Sequence, residues 1–417
     1  VSADAMPVIR RIGQSRLILI AFVLVAVMLA GISAIRFQAP ELLGQDKLLT
    51  DFDAFHIAGT LAGRGDVADA YTASAMMDAQ AERSPTAKLM PWTYPPPFTL
   101  FVDALADLPV GVAYVLFILA SFGFYLVVLH RIAGTWLPGV LLFVMPAVLV
   151  NLRVGQNGFL VAALIGAFLL AWRDRKMAAG VPLGLMIIKP HLAAGIGLLA
   201  LFGRRWSVLA IAALVALGAL GLSTLAYGFG VWPAFLGAVA EAGAFLAGGH
   251  YSLFRMGSVY AALRSWGLPA DWAMTGHLVG ALAALGLLAW VSLAKFAFRH
   301  RAALICALSL FVSPYSYDYD LAILGVGLAF IAPDLAARAS PRALGALLAL
   351  GWVTCGYGVM IEALLPADQS GASSLAASIA PAIIAPLLIG LCLVTLRLAR
   401  PREDRDKSLC APAANPF

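Results

Sequence analysis

Residues 177–203, MAAGVPLGLMIIKPHLAAGIGLLALFG, decide how this chain is arranged. The stretch is apolar except for Lys189-Pro190-His191 near its middle, and basic groups bracket it: Arg173, Arg175 and Lys176 before, Arg204 and Arg205 after. Read as one span, it puts those two groups on opposite sides of a bilayer and leaves every later basic cluster on the wrong side. Read as a hairpin turning at Lys189, it keeps them together, as the positive-inside rule requires. Each arm has about 13 residues, or ~20 Å of helix, against a hydrocarbon core of ~30 Å. Proline disfavours a helix running through the residue before it, and breaks at membrane depth are tolerated where they line a cavity. The expectation is a hairpin with Lys189 and His191 facing inward, below the outer surface.

Working outward, the same pattern repeats. The chain has 417 residues, 62% hydrophobic and 12% charged, against about 25% charged in soluble domains. Its apolar residues fall in long blocks, many long enough to span a bilayer. Arg10, Arg11 and Arg16 precede an apolar run over 17–35, longer than the ~7–15 residues of a signal-peptide core. It reads as an uncleaved first helix with a cytoplasmic N-terminus. Residues 36–110 hold ten of the 22 acidic residues and five basic ones, which suits a long outer loop. Further helices are expected over 112–129, 137–150, up to Arg173, over 206–227 and 272–294, and in four more crossings, the last ending at Arg397 and Arg400. Residues 228–271 read as a second outer segment, and 401–417 as a disordered cytoplasmic tail. The expected fold is an all-α, polytopic membrane bundle of about 12 transmembrane or part-spanning helices. It forms one domain over 1–400 with both ends inside, in contact with membrane lipids.

Composition also excludes. The net charge of +6 arises from small basic groups at the ends of apolar blocks, so it marks topology and no nucleic-acid partner. Cys306, Cys355, Cys392 and Cys410 match no metal or redox spacing, and three lie in apolar blocks where cysteine behaves as a small hydrophobe. His56, His191 and His250 have no ligand spacing either. Neither a metal nor a cofactor is expected.

The polar exceptions gather at the outer helix ends. They are Asp51, Asp53 and His56; Tyr94 with Pro95-Pro96-Pro97; Arg153, Gln156 and Asn157; Lys189 and His191; His250 to Arg255; and Tyr315, Asp318 and Asp320. Ionisable groups near membrane depth are costly and point to function, so a pocket on one face is expected. Taken locally, Asp51 serves equally as a helix cap beside Thr50 or as a base. Tyr94 leads a stiff segment that either enters the next helix or presents its ring to the pocket. Lys189 needs an anion: a phosphate shared with Arg153 or Arg255, or else the outer headgroups, by snorkelling. Asp318 and Asp320 either bind sugar hydroxyls or cap the helix that follows.

The order of motifs resembles glycosyltransferase family 87 (the DUF2029 group) of the GT-C superfamily. Asp51-Phe52 with Phe55 and Ala58 comes after helix 1, and Tyr94-Pro95-Pro96 before helix 2. Gly155-Gln156-Asn157, Lys189-Pro190 and Ser313-Pro314-Tyr315 follow. The resemblance covers about 15–400. It implies an enzyme on the outer face of the bacterial plasma membrane. Such an enzyme moves a hexose, mannose at family level, from a polyprenyl-phosphate sugar to a hydroxyl of a lipid or glycan acceptor, with inversion. It implies Asp51 as the base, the acid standing immediately before Phe52, and places Gln156, Lys189 and 313–320 at the outer face. Tyr317 and Tyr319 stand where several members carry Trp or His. The chemistry agrees: an oxocarbenium-like transfer from an ionised phosphate needs one base for the incoming hydroxyl and cations for the leaving group. A transporter or flippase is the rival class. It predicts repeat symmetry and charges near the midplane, whereas the charges here cluster at one face.

Overall fold

The computed structural model describes residues 11–84, 90–364 and 380–399. Among them the regular structure is helical, with a single isolated β-bridge between Met256 and Tyr317. Six segments are long and apolar enough to cross a membrane: Arg16–Gln38, Val110–Phe143, Trp206–Tyr227, Ala270–Leu293, Asp318–Arg338 and Pro341–Leu364. Shorter apolar helices fill the bundle between them, including Gly158–Arg173, Val231–Ala247 and Ile384–Arg397. This is a polytopic helical membrane protein. Its layout is six full-length candidates plus shorter, part-length helices; the expectation was about 12 transmembrane or part-spanning helices. The tail over 401–417 lies outside the described residues.

The stretch 177–203 does fold back on itself. A short helix, α1 (Gly180–Leu185), runs alongside α2 (Trp206–Tyr227). Gly180 lies against Val208 and Gly184 against Ala212, so the two helices run parallel from the same end of the bundle. The chain between them must therefore return, and α3 (Ala194–Phe202) is that return. At the shared end the Arg205 guanidinium donates to the Trp172 carbonyl at 2.9 Å and lies over the Trp172 ring at 4.4 Å. The basic groups on either side of the hairpin thus meet. At the far end helix geometry fails at Lys189 (φ −145°, ψ 70°), and Pro190 opens a separate 3-10 turn. Proline has no N–H to continue the ladder, and the break exposes Lys189 and His191 to the interior of the bundle.

Three expectations change in detail. Residues 137–150 are two helices, Leu137–Phe143 and Met145–Val154, because Pro146 starts a new first turn. Residues 36–110 carry helices of their own. They are α4 (Asp51–Gly63), two short helices over Val67–Ala70 and Ala73–Ala81, and α5 (Pro96–Ala106). Pro96 and Pro97 occupy the first positions of α5, where the missing N–H costs nothing; the rigid segment is therefore a helix start. Residues 228–271 include α6 (Val231–Ala247), whose Phe235, Val239 and Ala242 face the interior cavity.

Candidate active site

The site is assembled on the turn Gly155-Gln156-Asn157-Gly158, which joins Met145–Val154 to Gly158–Arg173. Gly155 sits at φ +69°, the left-handed conformation that ends a helix and that glycine adopts without strain. A Cβ there would lie 2.5 Å from the Phe52 Cβ, so the bare backbone is what lets the first turn of α4 dock. A side chain at Gly158 would collide with the Tyr319 carbonyl, which instead accepts from the Asn151 amide at 2.9 Å. Two segments far apart in sequence, 51–55 and 317–320, thereby close on one turn.

Asp51 is the first residue of α4, and docking of Phe52 lays its carboxylate beside Gln156. The Gln156 side-chain N–H donates to Asp51 Oδ1 at 2.8 Å. Its carbonyl oxygen accepts from the Tyr94 hydroxyl at 3.1 Å and from the Asn157 backbone N–H at 3.0 Å. With two donors on the oxygen, the amide has only one sensible orientation. Burial raises the Asp51 carboxyl above its ordinary value; Arg255 and the Gln156 hydrogen bond oppose that rise, and Asp318 adds to it.

Two buried ion pairs flank this acid. The Lys189 ammonium meets Asp320 Oδ1 at 2.7 Å, and its nitrogen lies 4.8 Å from the centre of the Tyr319 ring. Arg255 grips Asp318 with two parallel bonds of 2.9 and 3.0 Å and reaches Glu362 at 3.3 Å. Between the pairs, Tyr317 and Tyr319 stack with centroids 5.4 Å apart and planes at 9°. The strand-like contact that holds Arg255 against this segment is a 2.7 Å bond from the Gly257 N–H to the Ser316 carbonyl.

These groups surround a cavity of about 460 Å³. Asp51, Tyr94, Gln156, Lys189, His191, Arg255 and Tyr315 line it, so seven of the expected site residues converge. Asp318 and Asp320 are buried behind the cations and have their oxygens occupied; they do not offer themselves to sugar hydroxyls. Asn157 is fully buried and acts through its backbone N–H.

Three expected residues lie elsewhere. Asp53 points away from the cavity: Oδ1 takes Lys47 at 2.7 Å, and Oδ2 caps the helix by accepting the Thr50 N–H at 2.9 Å. The capping role proposed for Asp51 thus belongs to its neighbour. His56 bridges the Leu108 carbonyl at 2.9 Å and the Arg83 guanidinium at 3.1 Å. A carbonyl only accepts and a guanidinium only donates, so the ring is neutral with its proton on Nε2; burial, the largest effect, also depresses its pKa. Arg153 is half-exposed and pairs with Glu362 at 3.3 Å, outside the cavity.

The cavity wall also includes Trp92 and Thr93, which the sequence did not single out as site residues, together with His250, Tyr251, Ser252, Tyr317 and Tyr319, which fall within the polar segments expected at the outer face. The sequence signal for Trp92 was an aromatic residue beside a Pro-rich segment in otherwise aliphatic surroundings. Glu362, joining Arg255 to Arg153, gave none.

The model of glycosyltransferase family 87 matches residues 92–314, more than half of the chain. No curated protein and no solved structure matches the chain. The matched segment carries Tyr94, Gln156, Lys189 and Arg255, while Asp51 and the Asp318–Asp320 turn flank it. A transporter or flippase has no support from this match. A helical membrane bundle, a polar cavity at one end of a broken hairpin, and a match across most of the cavity wall lead to one conclusion: the chain belongs to glycosyltransferase family 87.

Proposed function

We propose that this membrane glycosyltransferase transfers a hexose, with mannose the favoured sugar, from a polyprenyl-phosphate donor to a hydroxyl of a lipid or glycan acceptor. The reaction takes place on the outer face of the plasma membrane, with both termini cytoplasmic. The observation that carries this is Asp51. It is a cavity-lining carboxylate with one oxygen held by a neutral amide and, among the described residues, no cation bonded to it.

The acceptor hydroxyl oxygen attacks the anomeric carbon as the bond from that carbon to the phosphate oxygen breaks. The leaving electron pair stays on the phosphate, and the hydroxyl proton goes to the free Asp51 oxygen. A single displacement of this kind inverts the anomeric centre. The leaving group is already an ionised phosphate, so no general acid is required. Lys189 uses one N–H on Asp320, which leaves two donors for a phosphate oxygen. Arg255, fixed by Asp318, supplies positive potential nearby. Burial raises the Asp51 pKa towards the range where a general base works best. The tyrosine rings and Trp92 offer flat faces to a sugar, and α6 offers apolar side chains to a lipid.

The test is transfer in proteoliposomes from a polyprenyl-phosphate mannose to extracted membrane lipids. Asp51→Asn is expected to abolish it. Full activity in that variant would overturn the assignment of the base.

A further inference from the structure

Gln156 makes three hydrogen bonds that leave it no freedom. Its oxygen is held by the Tyr94 hydroxyl and the Asn157 N–H, and its nitrogen faces Asp51 Oδ1. The residue is 3% exposed. It sits in the turn whose glycines receive Phe52 on one side and the Tyr319 carbonyl on the other. A side chain that merely contacted substrate would not need a second side chain's hydroxyl to orient it.

We infer that Gln156 is a positioning residue for the transfer reaction, and that Tyr94 is the lock that fixes its amide. By engaging one oxygen of Asp51, Gln156 turns the other towards the acceptor and favours the ionised carboxylate. This inference rests on the reading of Asp51 as the base. An amide N–H bonded to a carboxylate stabilises the charged form, so removing it raises the acid's pKa. The other charged and titratable groups around Asp51 are Arg255 from the segment before Gly257, Tyr317, Asp318, Tyr319 and Asp320 from the opposing turn, Lys189 and His191 from the broken hairpin, and Tyr94 itself. All but Tyr94 are untouched by a change at 156 or 94.

The measurement is an infrared pH titration of the full-length protein in lipid nanodiscs, with no substrate added. The Asp51 carboxyl band is identified by its absence in Asp51→Asn. In Gln156→Leu the band is expected to titrate about one pH unit higher, the size expected for a hydrogen bond to a charged group. In Tyr94→Phe it moves the same way by less, because the Asn157 N–H still holds the amide oxygen. With polyprenyl-phosphate mannose, both variants lower kcat more than they raise KM, and the acidic limb of the rate profile shifts upward. A purely structural Gln156 would cost heat stability but leave the Asp51 titration in place. A contact to the sugar alone would raise KM without moving the limb. Either result overturns the inference. If Gln156→Leu does not fold, Tyr94→Phe decides, and an unmoved titration there also overturns it. The two readings fail separately: an active Asp51→Asn sinks the base, whereas an inactive Asp51→Asn with unshifted titration in the other variants sinks only the positioning role.

Discussion

Two helix N-termini in this chain carry the same acid pattern and use it differently. Asp51-Phe52-Asp53 opens α4, and Asp318-Tyr319-Asp320 opens the turn that leads into Ala322–Arg338. In each, the second acid folds back to cap the preceding backbone, Asp53 on the Thr50 N–H at 2.9 Å and Asp320 on the Tyr317 N–H at 3.3 Å. In each, that same acid also takes a lysine at 2.7 Å, Lys47 in one case and Lys189 in the other. The first acids differ. Asp318 is clamped by both arms of Arg255, whereas Asp51 meets a neutral amide. Asp318 has both oxygens bonded to the guanidinium and none turned to the cavity, whereas Asp51, held at one oxygen by an amide, keeps the other open to an incoming hydroxyl proton. The partner, and not the local motif, separates the two.

The sharpest way to break this comparison is to neutralise each first acid. Asp51→Asn should lower transfer by about 10²–10⁴-fold, the usual worth of a general base, and should not lower heat stability. The sign follows from burial. Burial lifts the native pKa above the ordinary carboxylate value, so between the unfolded and folded values the folded state holds a proton that the unfolded state has lost. Stability therefore falls as pH rises through that window, and Asn at 51 removes the cost of burying the charge at neutral pH. For the same reason the rate of the parent enzyme should drop as pH falls through the raised Asp51 value. Rate profiles and thermal denaturation of both proteins check this. Lost stability in Asp51→Asn would return the residue to a capping role.

The second acids test the other half. Lys189→Met leaves the fully buried Asp320 without its cation and should cost about 3–5 kcal/mol of stability, together with transfer. Adding Asp320→Asn should restore much of the stability and none of the transfer, because in the proposed reaction the cation, not the pair, serves the phosphate. Recovery of transfer in the double variant would show that Lys189 serves only the fold. Lys47→Met is the matched change at the other N-terminus. Lys47 is partly exposed, and Asp53 keeps its bond to the Thr50 N–H. Stability should fall by about 1–2 kcal/mol, with turnover per folded molecule within about threefold of the parent.

How much of this was legible in the sequence depends on range. The hairpin was legible because its causes are local: Pro190 breaks the helix, and basic groups mark both ends. Asp51 was legible as a candidate, but the choice between it and Asp53 was not settled by local chemistry. The Thr50-x-x-Asp53 spacing is a capping pattern, but local chemistry leaves Asp51 equally open to capping beside Thr50 or to acting as a base. What tells the acids apart is Gln156, brought to Asp51 by a glycine that makes room for Phe52. Pairings of this kind span the fold. Lys189 meets Asp320 and Arg255 meets Asp318 through the packing of separate helices, and no periodicity announces such partners. A lone lysine in an apolar stretch reads as a site awaiting an anion; the fold had already supplied a first carboxylate.

Arg153 marks the limit of the same logic and gives the smallest expected effect. It shares with Lys189 and Arg255 the sequence features that suggest a phosphate contact: a basic residue at an outer helix end, next to a polar turn. The structure leaves its side chain 49% exposed on the far side of Glu362, at 3.3 Å. An exposed ion pair is worth about 0–1 kcal/mol, so Arg153→Ala should change stability by less than about 0.5 kcal/mol and transfer by no more than about twofold. Among the described residues its ion-pair link to the cavity is Glu362, which also touches Arg255. Loss of Arg153 frees that carboxylate to lean on Arg255, so what small effect there is should appear as weaker donor binding, a higher KM at unchanged kcat. A large loss of kcat in Arg153→Ala would mean that the cation set around the cavity extends beyond its lining.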